Sequence, residues 1–261
     1  MNVGLIGAGH IARALAEGWS RPGVPGAPSV VFFDVDAAKA RELAAATGGA
    51  AAATAAALVA EADLIIVAVR PQLVEGVLRD VGAAVGERRV VSVAAGVTLA
   101  RLQAALPTGA RVARVMPNVA AALGLGVFLL VPGTLGPGVA EVEGLFALAG
   151  DVIAVDEALF DAATAVAGCM PGILAYLVET FAAAGVAHGL AGDVAVRLAI
   201  GGVHGAAAIV ARDGDPAAVL AAAATPGGMT AAAVEKLAER ELALTVTDAV
   251  AAAVARAKEL A

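Results

Sequence analysis

The first twelve residues constrain the fold more than any other part of this 261-residue chain. The apolar run Val3–Ile6 has the composition of a short buried strand, and Gly7-Ala8-Gly9 follows it directly. The next stretch, Ile11–Trp19, has the spacing of a helix that is apolar on one face. A strand, a turn with G-x-G-x-x-A spacing and a helix are typical of the first unit of a dinucleotide-binding fold. The sequence therefore predicts a Rossmann-type α/β domain at the N-terminus.

Each position of this turn has its own physical role. Gly7 permits a tight turn, Gly9 lets the backbone approach a pyrophosphate, and Ala12 lets the helix pack closely against the sheet. The N–H groups at the start of the helix are then free to bind phosphate oxygens. We expect Gly7, Gly9, His10, Ile11 and Ala12 to contact the cofactor. The alternative is a glycine turn with a purely structural role.

Strand and helix signals alternate up to residue 156. A helix is predicted over Asp36–Ala46, and the Ala-rich stretches 50–57 and 217–224 are also expected to be helical. Further strands are predicted over Val30–Phe33, Leu64–Val69, Val90–Val93 and Arg111–Val115, with edge strands over Gly126–Val131 and Val152–Val155. This alternation indicates a mostly parallel sheet with helices on both faces, so residues 1–156 are predicted to form one dinucleotide-binding domain.

Residues 157–261 contain no convincing strand pattern and are predicted to form an all-α domain. Breaks are expected at residues 168–172, 189–192, 213–216 and 225–228, where glycine or proline occurs. The stretches Ile173–Ala184 and Val194–Val210 are apolar on more than one face, which is typical of buried helices. A domain of roughly 100 residues is too small to bury them all, so we expect it to interleave with a second copy in a homodimer.

Composition excludes several classes of partner. The formal net charge is −7 and no basic stripe is present, which argues against nucleic acid and anionic membranes. Glu179, His188 and Asp193 interrupt the longest apolar stretch, so no membrane span is expected. The single cysteine, Cys169, cannot form an intrachain disulfide, which fits a cytoplasmic protein. No His, Cys and carboxylate cluster has metal-ligand spacing, and no metal is expected.

Asp34 favours NADH over NADPH. It ends the second predicted strand, 22 residues beyond Ala12, near the spacing of a group that bonds the adenine ribose hydroxyls. A carboxylate at this position would repel a 2′-phosphate, and no Arg or Lys follows within three residues. The alternative is that Asp34 or Asp36 caps the next helix, for which Asp36 is the better placed.

Two more loops follow predicted strands and should face the cofactor, because ligands of open α/β sheets lie beyond the carboxyl ends of the strands. The residues expected to contact it there are Val69, Arg70, Pro71, Ala94 and Ala95. Arg70 could support the cofactor or an acidic substrate. The alternative, a solvated loop arginine, stays open.

Taken together, the motifs of this chain resemble those of the pyrroline-5-carboxylate reductase family, in order and over essentially the whole length. The matching segments are Val3–Ala12, Ala68–Pro71, Ser92–Thr98, Arg114–Asn118, Gly168–Pro171 and Thr225–Thr230. The last of these resembles the family's S/T-P-G-G-x-T signature and is the most specific. The resemblance implies a Rossmann domain and a helical domain that interlocks into a homodimer, often assembled further into a decamer. It also implies hydride transfer from NADH or NADPH to a cyclic imine, giving L-proline.

The resemblance also implies roles for individual residues. Thr230 is the candidate catalytic residue, with its hydroxyl near the imine nitrogen, although it could simply cap a helix. The residues implied to bind the substrate are Met116, Asn118, Gly168, Cys169, Met170, Pro171, Gly227 and Gly228.

The substrate loops depart from the family pattern. Val119-Ala120 stands where Thr-Pro is usual, and residues 167–171 replace Ser-Gly-Ser-Gly-Pro, so several hydroxyl groups are missing. A bulkier or less polar cyclic imine is therefore a second hypothesis, with Met170 lining its pocket. A third is a non-catalytic dinucleotide-binding protein, against which Thr230 and the intact turn Pro226–Gly228 argue.

Overall fold

The computed structural model describes residues 1–260, which fall into two compact units. The first unit comprises Met1–Cys169 together with the end of the last helix from Ala253, and the second comprises Met170–Ala252.

An eight-stranded sheet forms the centre of the first unit, in the order β3-β2-β1-β4-β5-β6-β7-β8. Every neighbouring pair is parallel except β6 and β7, which are antiparallel. The strands are β1 Asn2–Ile6, β2 Ser29–Phe33, β3 Ala50–Ala51, β4 Leu64–Val67, β5 Arg89–Ser92, β6 Arg111–Met116, β7 Gly126–Val131 and β8 Gly150–Ala154. The predicted mostly parallel sheet is confirmed. Of the two expected edge strands, β8 lies at the edge but β7 lies inside the sheet.

The helices of the first unit connect these strands and cover the sheet. They are α1 His10–Trp19, α2 Ala37–Thr47, α3 Ala55–Glu61, α4 Pro71–Val85, α5 Leu99–Ala104, α6 Val139–Ala147 and α7 Phe160–Ala163. Polar side chains fix where three of them begin, because Asp36, Thr54 and Thr98 each accept a hydrogen bond from a backbone N–H in the first turn. Apolar side chains fill both faces of the sheet, and all four residues of β4 are buried.

The prediction of a helix over residues 50–57 is wrong at its start. Ala50–Ala51 form the edge strand β3, paired with β2, and Ala52 N donates to the Phe32 carbonyl. Helix α3 begins only at Ala55, after the Thr54 cap. The high helix propensity of alanine is overridden here because β2 would otherwise expose unpaired backbone groups along its edge. Strand β4 also ends two residues earlier than predicted, since Arg70 and Pro71 already begin α4.

The all-helical prediction for the second half of the chain is confirmed. Its helices are α8 Met170–Ala187, α9 Gly192–Asp213, α10 Pro216–Ala223, α11 Met229–Glu239 and α12 Leu242–Leu260. The break expected at residues 168–172 is wrong in its bounds: a π-helical turn over Thr164–Gly168 leads almost directly into α8, and Gly172 lies inside that helix.

Little of the second unit is buried. Only Ala182 of α8 and Ala195 of α9 are buried, whereas Tyr176, Phe181 and Leu198 are each more than half exposed. The apolar faces expected to be buried are therefore not covered within one chain.

Two helical stretches, Glu157–Ala187 and Gly192–Asp213, are long and apolar enough to cross a membrane, judged by length and composition alone. The interrupting charges noted in the sequence do not prevent this. A helix face covered by another subunit has the same composition, so the observation is weak evidence for a membrane span.

Candidate functional site

The glycine-rich turn has the geometry of an anion cradle. Gly7 has a φ of +104°, and a Cβ at this residue would lie 2.5 Å from the Ala68 carbonyl oxygen, so only glycine fits. Gly9 is the N-cap of α1, and no atom lies within 4 Å of where its Cβ would be. No side chain caps α1, while Ala12 is fully buried beneath it. The first turn of α1 therefore presents open space and free N–H groups, as a bound pyrophosphate requires.

This turn lies where the strand order of the sheet reverses. Strand β1 stands between β2 and β4, and Ile6 is in register with both Phe33 and Val67. Val67 is in turn in register with Ser92 of β5. The structure thus brings the segments after β1, β2, β4 and β5 to one edge of the sheet, where ligands of open α/β sheets bind.

Asp34 connects two of these segments. Its Oδ2 accepts a hydrogen bond from Ala8 N at 2.8 Å, and its Oδ1 accepts one from Asp36 N at 2.9 Å. The cap of α2 is Asp36, whose Oδ1 accepts from Ala38 N, so the alternative role of Asp34 as that cap is wrong. Lys39 lies 3.9 Å from the Asp36 carboxylate. The side chain beside the glycine-rich turn is therefore a carboxylate, and the next lysine along the chain already faces an acid.

The loops after β4 and β5 differ in exposure. Arg70 is the exposed N-cap of α4, and its side chain has no hydrogen bond or ion pair with the described residues. Pro71 is the first residue of that helix, and Val69 is half-buried. Ala94 is buried beside a half-buried Ala95. Arg70 is therefore an exposed cation at this edge of the sheet, and the small side chains of Ala94 and Ala95 leave room for a ligand above β5.

The loop after β6 contains Asn118, whose side-chain amide is hydrogen-bonded to backbone atoms of the protein. Only 7% of this residue is exposed. Its Nδ2 donates to the Ala167 carbonyl at 3.3 Å, and its Oδ1 accepts from Val127 N at 3.4 Å. A Cβ on Gly168 would lie 3.7 Å from Met116 Cε. The structure thus brings Met116, Asn118 and Gly168 together, with half-buried Cys169 following, but it uses the Asn118 amide to hold the π-helical turn.

In the helical unit, the turn before α11 leaves Thr230 available. Gly227 has a φ of +76°, and Gly228 is the N-cap of α11. A Cβ on Gly228 would lie 2.8 Å from Thr225 Oγ1, so this turn also needs glycine. The alternative role of Thr230 as the cap is wrong, because it is the second residue of the helix. Its side chain is exposed and has no hydrogen-bond partner among the described residues. Met170 is 44% exposed at the start of α8, and Pro171 follows it there.

One pair of residues close to the loops after β5 and β6 was not identified from the sequence. Arg114 lies inside β6 and is only 3% exposed, and its Nη1 is 2.7 Å from Glu157 Oε1. The available signal was an arginine at a position where the strand pattern requires an apolar side chain, since a buried charge needs a partner. No pattern in the sequence identifies that partner.

A second concave region of the first unit is not the candidate site. This cleft of about 540 Å³ lies among the residues that precede β4, β5 and β6, at the edge of the sheet opposite the glycine-rich turn. Two of its arginines are engaged: Arg88 donates to the Ala60 and Ala62 carbonyls, and Arg89 pairs with Glu141, whereas Arg111 is exposed. Within residues 1–260, no three His, Cys, Asp or Glu side chains are grouped so that they could hold a metal ion.

Comparison with known proteins gives a consistent result. Residues 157–260 match a family model described as pyrroline-5-carboxylate reductase dimerisation, and residues 2–96 match one described as NADP oxidoreductase, coenzyme F420-dependent. A pyrroline-5-carboxylate reductase of Mycobacterium leprae is 37% identical, over 99% of this chain and 96% of the relative. One from Arabidopsis thaliana is 34% identical, over 99% of this chain and 95% of the relative.

Solved structures agree on the fold. A pyrroline-5-carboxylate reductase from Coxiella burnetii has a TM-score of 0.89 at 25% identity, covering 100% of this chain and 98% of its own. The pyrroline carboxylate reductase of Plasmodium falciparum, determined with NADP bound, has a TM-score of 0.86 with the same coverage. At 23% identity, that second likeness concerns the fold alone.

Proposed function

This chain belongs to the pyrroline-5-carboxylate reductase family, and from that membership we propose that it reduces a cyclic imine with NADH or NADPH. The first candidate substrate is 1-pyrroline-5-carboxylate, with L-proline as the product. The observation that carries the proposal is that no side chain caps the start of α1, directly after the turn formed by Gly7 and Gly9. The chain that contains this turn is 37% identical to a family member over nearly its full length.

The residues of the turn after β1 fit a dinucleotide. The open space at Gly9 and the free N–H groups of the first turn of α1 would hold the pyrophosphate, with His10 and Ile11 contributing backbone donors. Val69–Pro71 and Ala94-Ala95 would line the same edge of the sheet. When bound, the reduced nicotinamide supplies the hydride for the reaction.

NADH is the preferred cofactor in this proposal. The Asp34 carboxylate is fixed by two backbone N–H groups beside the glycine-rich turn, where it can accept hydrogen bonds from ribose hydroxyls. A 2′-phosphate there would meet a fixed negative charge, and Lys39 is drawn towards Asp36. The family-model match and the neighbour with NADP bound support a nicotinamide dinucleotide in general.

The chemistry makes modest demands on the protein. An iminium carbon already accepts hydride readily, so the chain mainly has to orient the substrate. In our proposal the Thr230 hydroxyl hydrogen-bonds the imine nitrogen, and the backbone N–H groups at Gly227 and Gly228 bind the carboxylate. Met116, Gly168, Cys169, Met170 and Pro171 would shape the rest of the pocket. Asn118 contributes by holding the π-helical turn, since its amide is already bonded.

A different cyclic imine is the second candidate substrate. The specific observation in its favour is the apolar character of the substrate loops: Val119 is 49% exposed and Val166 is 55% exposed. These residues, together with Met170, offer apolar contacts and no hydroxyl donors. A bulkier, less polar imine would bind such loops better than a small amino-acid imine does.

The assembly follows from the same family membership. The match to the dimerisation model supports a homodimer formed through the helical domain, and we propose that the exposed faces of α8 and α9 are covered by a second copy in a cytoplasmic protein. A decamer is a further proposal. We place the functional boundary between residues 156 and 157, where the family model begins, although residues up to Cys169 pack with the first unit.

One experiment tests the activity directly. Purified protein is mixed with NADH or NADPH and 1-pyrroline-5-carboxylate, and the loss of cofactor absorbance is followed, with a panel of larger cyclic imines in parallel. Rapid oxidation of NADH with 1-pyrroline-5-carboxylate supports the first candidate. Turnover with a larger imine alone supports the second, and cofactor binding without any turnover excludes both.

A matched pair of variants tests the role of Thr230. Thr230→Ala should lower kcat about tenfold to a hundredfold, because a positioned hydrogen bond to the reacting group is lost. Thr230→Ser keeps the hydroxyl and should retain most of the activity. Full activity of the alanine variant would remove Thr230 from the mechanism.

A further inference from the structure

We propose that Glu157 and Arg114 are positioning residues: one carboxylate fastens the cofactor-facing loop after β5 and the segment leading to Gly168 onto strand β6. The proposal rests on the proposed function for the identity of the site, but the contacts themselves are independent of it. All of them lie within the first unit.

The Arg114 guanidinium is fixed inside the protein by two neighbours from the same segment. Its Nη1 is 2.7 Å from Glu157 Oε1, and its Cζ lies 4.1 Å from the centroid of the Phe160 ring. Its buried Nε has no hydrogen-bond partner among the described residues. A guanidinium in this position depends on its single carboxylate partner, so the pair holds the start of the segment 157–169 against β6.

The same carboxylate oxygen also reaches the other side of the site. Glu157 Oε1 accepts a hydrogen bond at 2.7 Å from the backbone N–H of Leu99, the first residue of α5. Leu99 ends the loop that contains Ala94 and Ala95, which should face the cofactor. Residues 58 positions apart along the chain are thereby joined through one atom.

A second contact holds the far end of the same segment. Asn118, just beyond β6, donates to the Ala167 carbonyl in the π-helical turn. Strand β6 thus fixes the segment at both ends, by Arg114 at its start and by Asn118 before Gly168. Of Arg114, Asn118 and Glu157, only Glu157 also bonds the start of α5, where the loop after β5 ends, so it determines how that loop lies relative to the segment.

We expect removal of the Glu157 carboxylate to disturb the alignment of the reacting groups but not the binding of NADH. In Glu157→Ala, kcat per active site should fall about tenfold, because small displacements of reacting groups reduce rates steeply. The dissociation constant for NADH should stay within about twofold, since the turn after β1 that holds the pyrophosphate is untouched. Glu157→Gln keeps an oxygen that can accept from Leu99 but removes the charge that balances Arg114, so it should recover part of the rate. Glu157→Asp is one methylene shorter and should not.

Glu141→Ala is the matched control, because Glu141 also pairs with a strand arginine, Arg89, but at the opposite edge of the sheet. It should lower the melting temperature, by less than Glu157→Ala because Glu141 is more exposed, while leaving kcat per active site unchanged. Active sites are counted by NADH binding, so misfolded protein does not enter the comparison.

Two measurements need no turnover. Hydrogen exchange at the Leu99 amide should accelerate in Glu157→Ala, and the fluorescence enhancement of bound NADH should fall, with neither change in Glu141→Ala. If the wild-type protein reduces no imine, the proposed function fails and these two measurements still decide the positioning role. Unchanged NADH fluorescence, or an unchanged kcat per site in an active enzyme, would overturn it.

Discussion

The two halves of this chain, which we call the Rossmann half (residues 1–169) and the helical half (residues 170–260), differ in how they bury apolar surface. In the Rossmann half, the strands and the inner faces of the helices form apolar clusters on both faces of the sheet, and Trp19, Phe32 and Phe128 are fully buried. In the helical half, α8 and α9 each bury a single alanine, while their large side chains face outwards. The first half therefore completes its core within one chain, whereas we expect a partner surface to complete the core of the second.

Ion pairs show the same contrast. In the Rossmann half some ion pairs are local, but others join separate elements: Arg13 of α1 pairs with Glu42 of α2, and Arg101 of α5 with Glu75 of α4. In residues 170–260, the ion pairs that the structure describes join residues no more than three positions apart. Ion pairs therefore link separate elements in the first half, whereas those of the second half are local.

Breaking the partner surface should have the largest effect. Phe181 is 60% exposed on α8, and Phe181→Asp would place a charge on a face that we expect to be buried in the dimer. Loss of an aromatic anchor costs about 2 kcal/mol, and a two-fold interface contains it twice, so the dimer dissociation constant should rise about a thousandfold. Analytical ultracentrifugation over a concentration series measures it.

The control is an apolar residue of the Rossmann half that is at least as exposed as Phe181. Leu125 is 72% exposed, and Leu125→Asp should leave the dimer intact. If both variants dissociate the dimer, or neither does, the contrast between the halves does not describe the assembly.

A second pair of variants separates folding from function inside the Rossmann half. Gly7→Ala forces a side chain into a φ of +104° and against the Ala68 carbonyl, so the free energy of unfolding should fall by about 2–3 kcal/mol. Gly9→Ala meets no neighbouring atom, so stability should change by less than about 0.5 kcal/mol. Affinity for NADH should nevertheless drop at least about tenfold in Gly9→Ala, because the new methyl group occupies the space of the pyrophosphate. Denaturant unfolding and NADH titration measure the two quantities, and a stable Gly7→Ala variant would contradict the geometry.

Cofactor discrimination should respond to a smaller change. Asp34→Asn keeps an oxygen for the Ala8 N–H but removes the charge, so the ratio of kcat/KM for NADH over NADPH should fall about tenfold. Asp36→Ser keeps a good helix cap for α2 and should change the ratio less. An unchanged ratio in Asp34→Asn would mean that another residue reads the 2′ position.

Local signals in the sequence account for the elements that were predicted well. Runs of apolar residues identified seven of the eight strands, because a strand that is buried on both faces is apolar at successive positions. The exception, Ala50–Ala51, is a strand only because β2 pairs with it, which is tertiary context. The glycine-rich turn could also be predicted, because its residues lie within six consecutive positions. The contact of Arg114 with Glu157 spans 43 residues, and nothing in a single sequence encodes such a pairing.

The smallest expected effect concerns an ion pair that joins two helices of the Rossmann half. A hydrogen bond from Arg101, supported by Arg79, lowers the pKa of the half-buried Glu75 below its ordinary value of 4.5. A lowered folded-state pKa stabilises the protein above the unfolded-state value, and this contribution is lost as the pH falls through the folded-state pKa. The melting temperature of Glu75→Gln should therefore lie slightly below that of the wild type at pH 7, and the two should converge below about pH 4.5. Because both side chains stay about one-third exposed, the difference should also shrink at high salt. Glu239→Gln, which breaks the pair with Lys236 inside α11, should show a smaller difference still, since that pair joins no separate elements. Equal effects of the two variants would show that the contrast in ion pairing has no energetic counterpart.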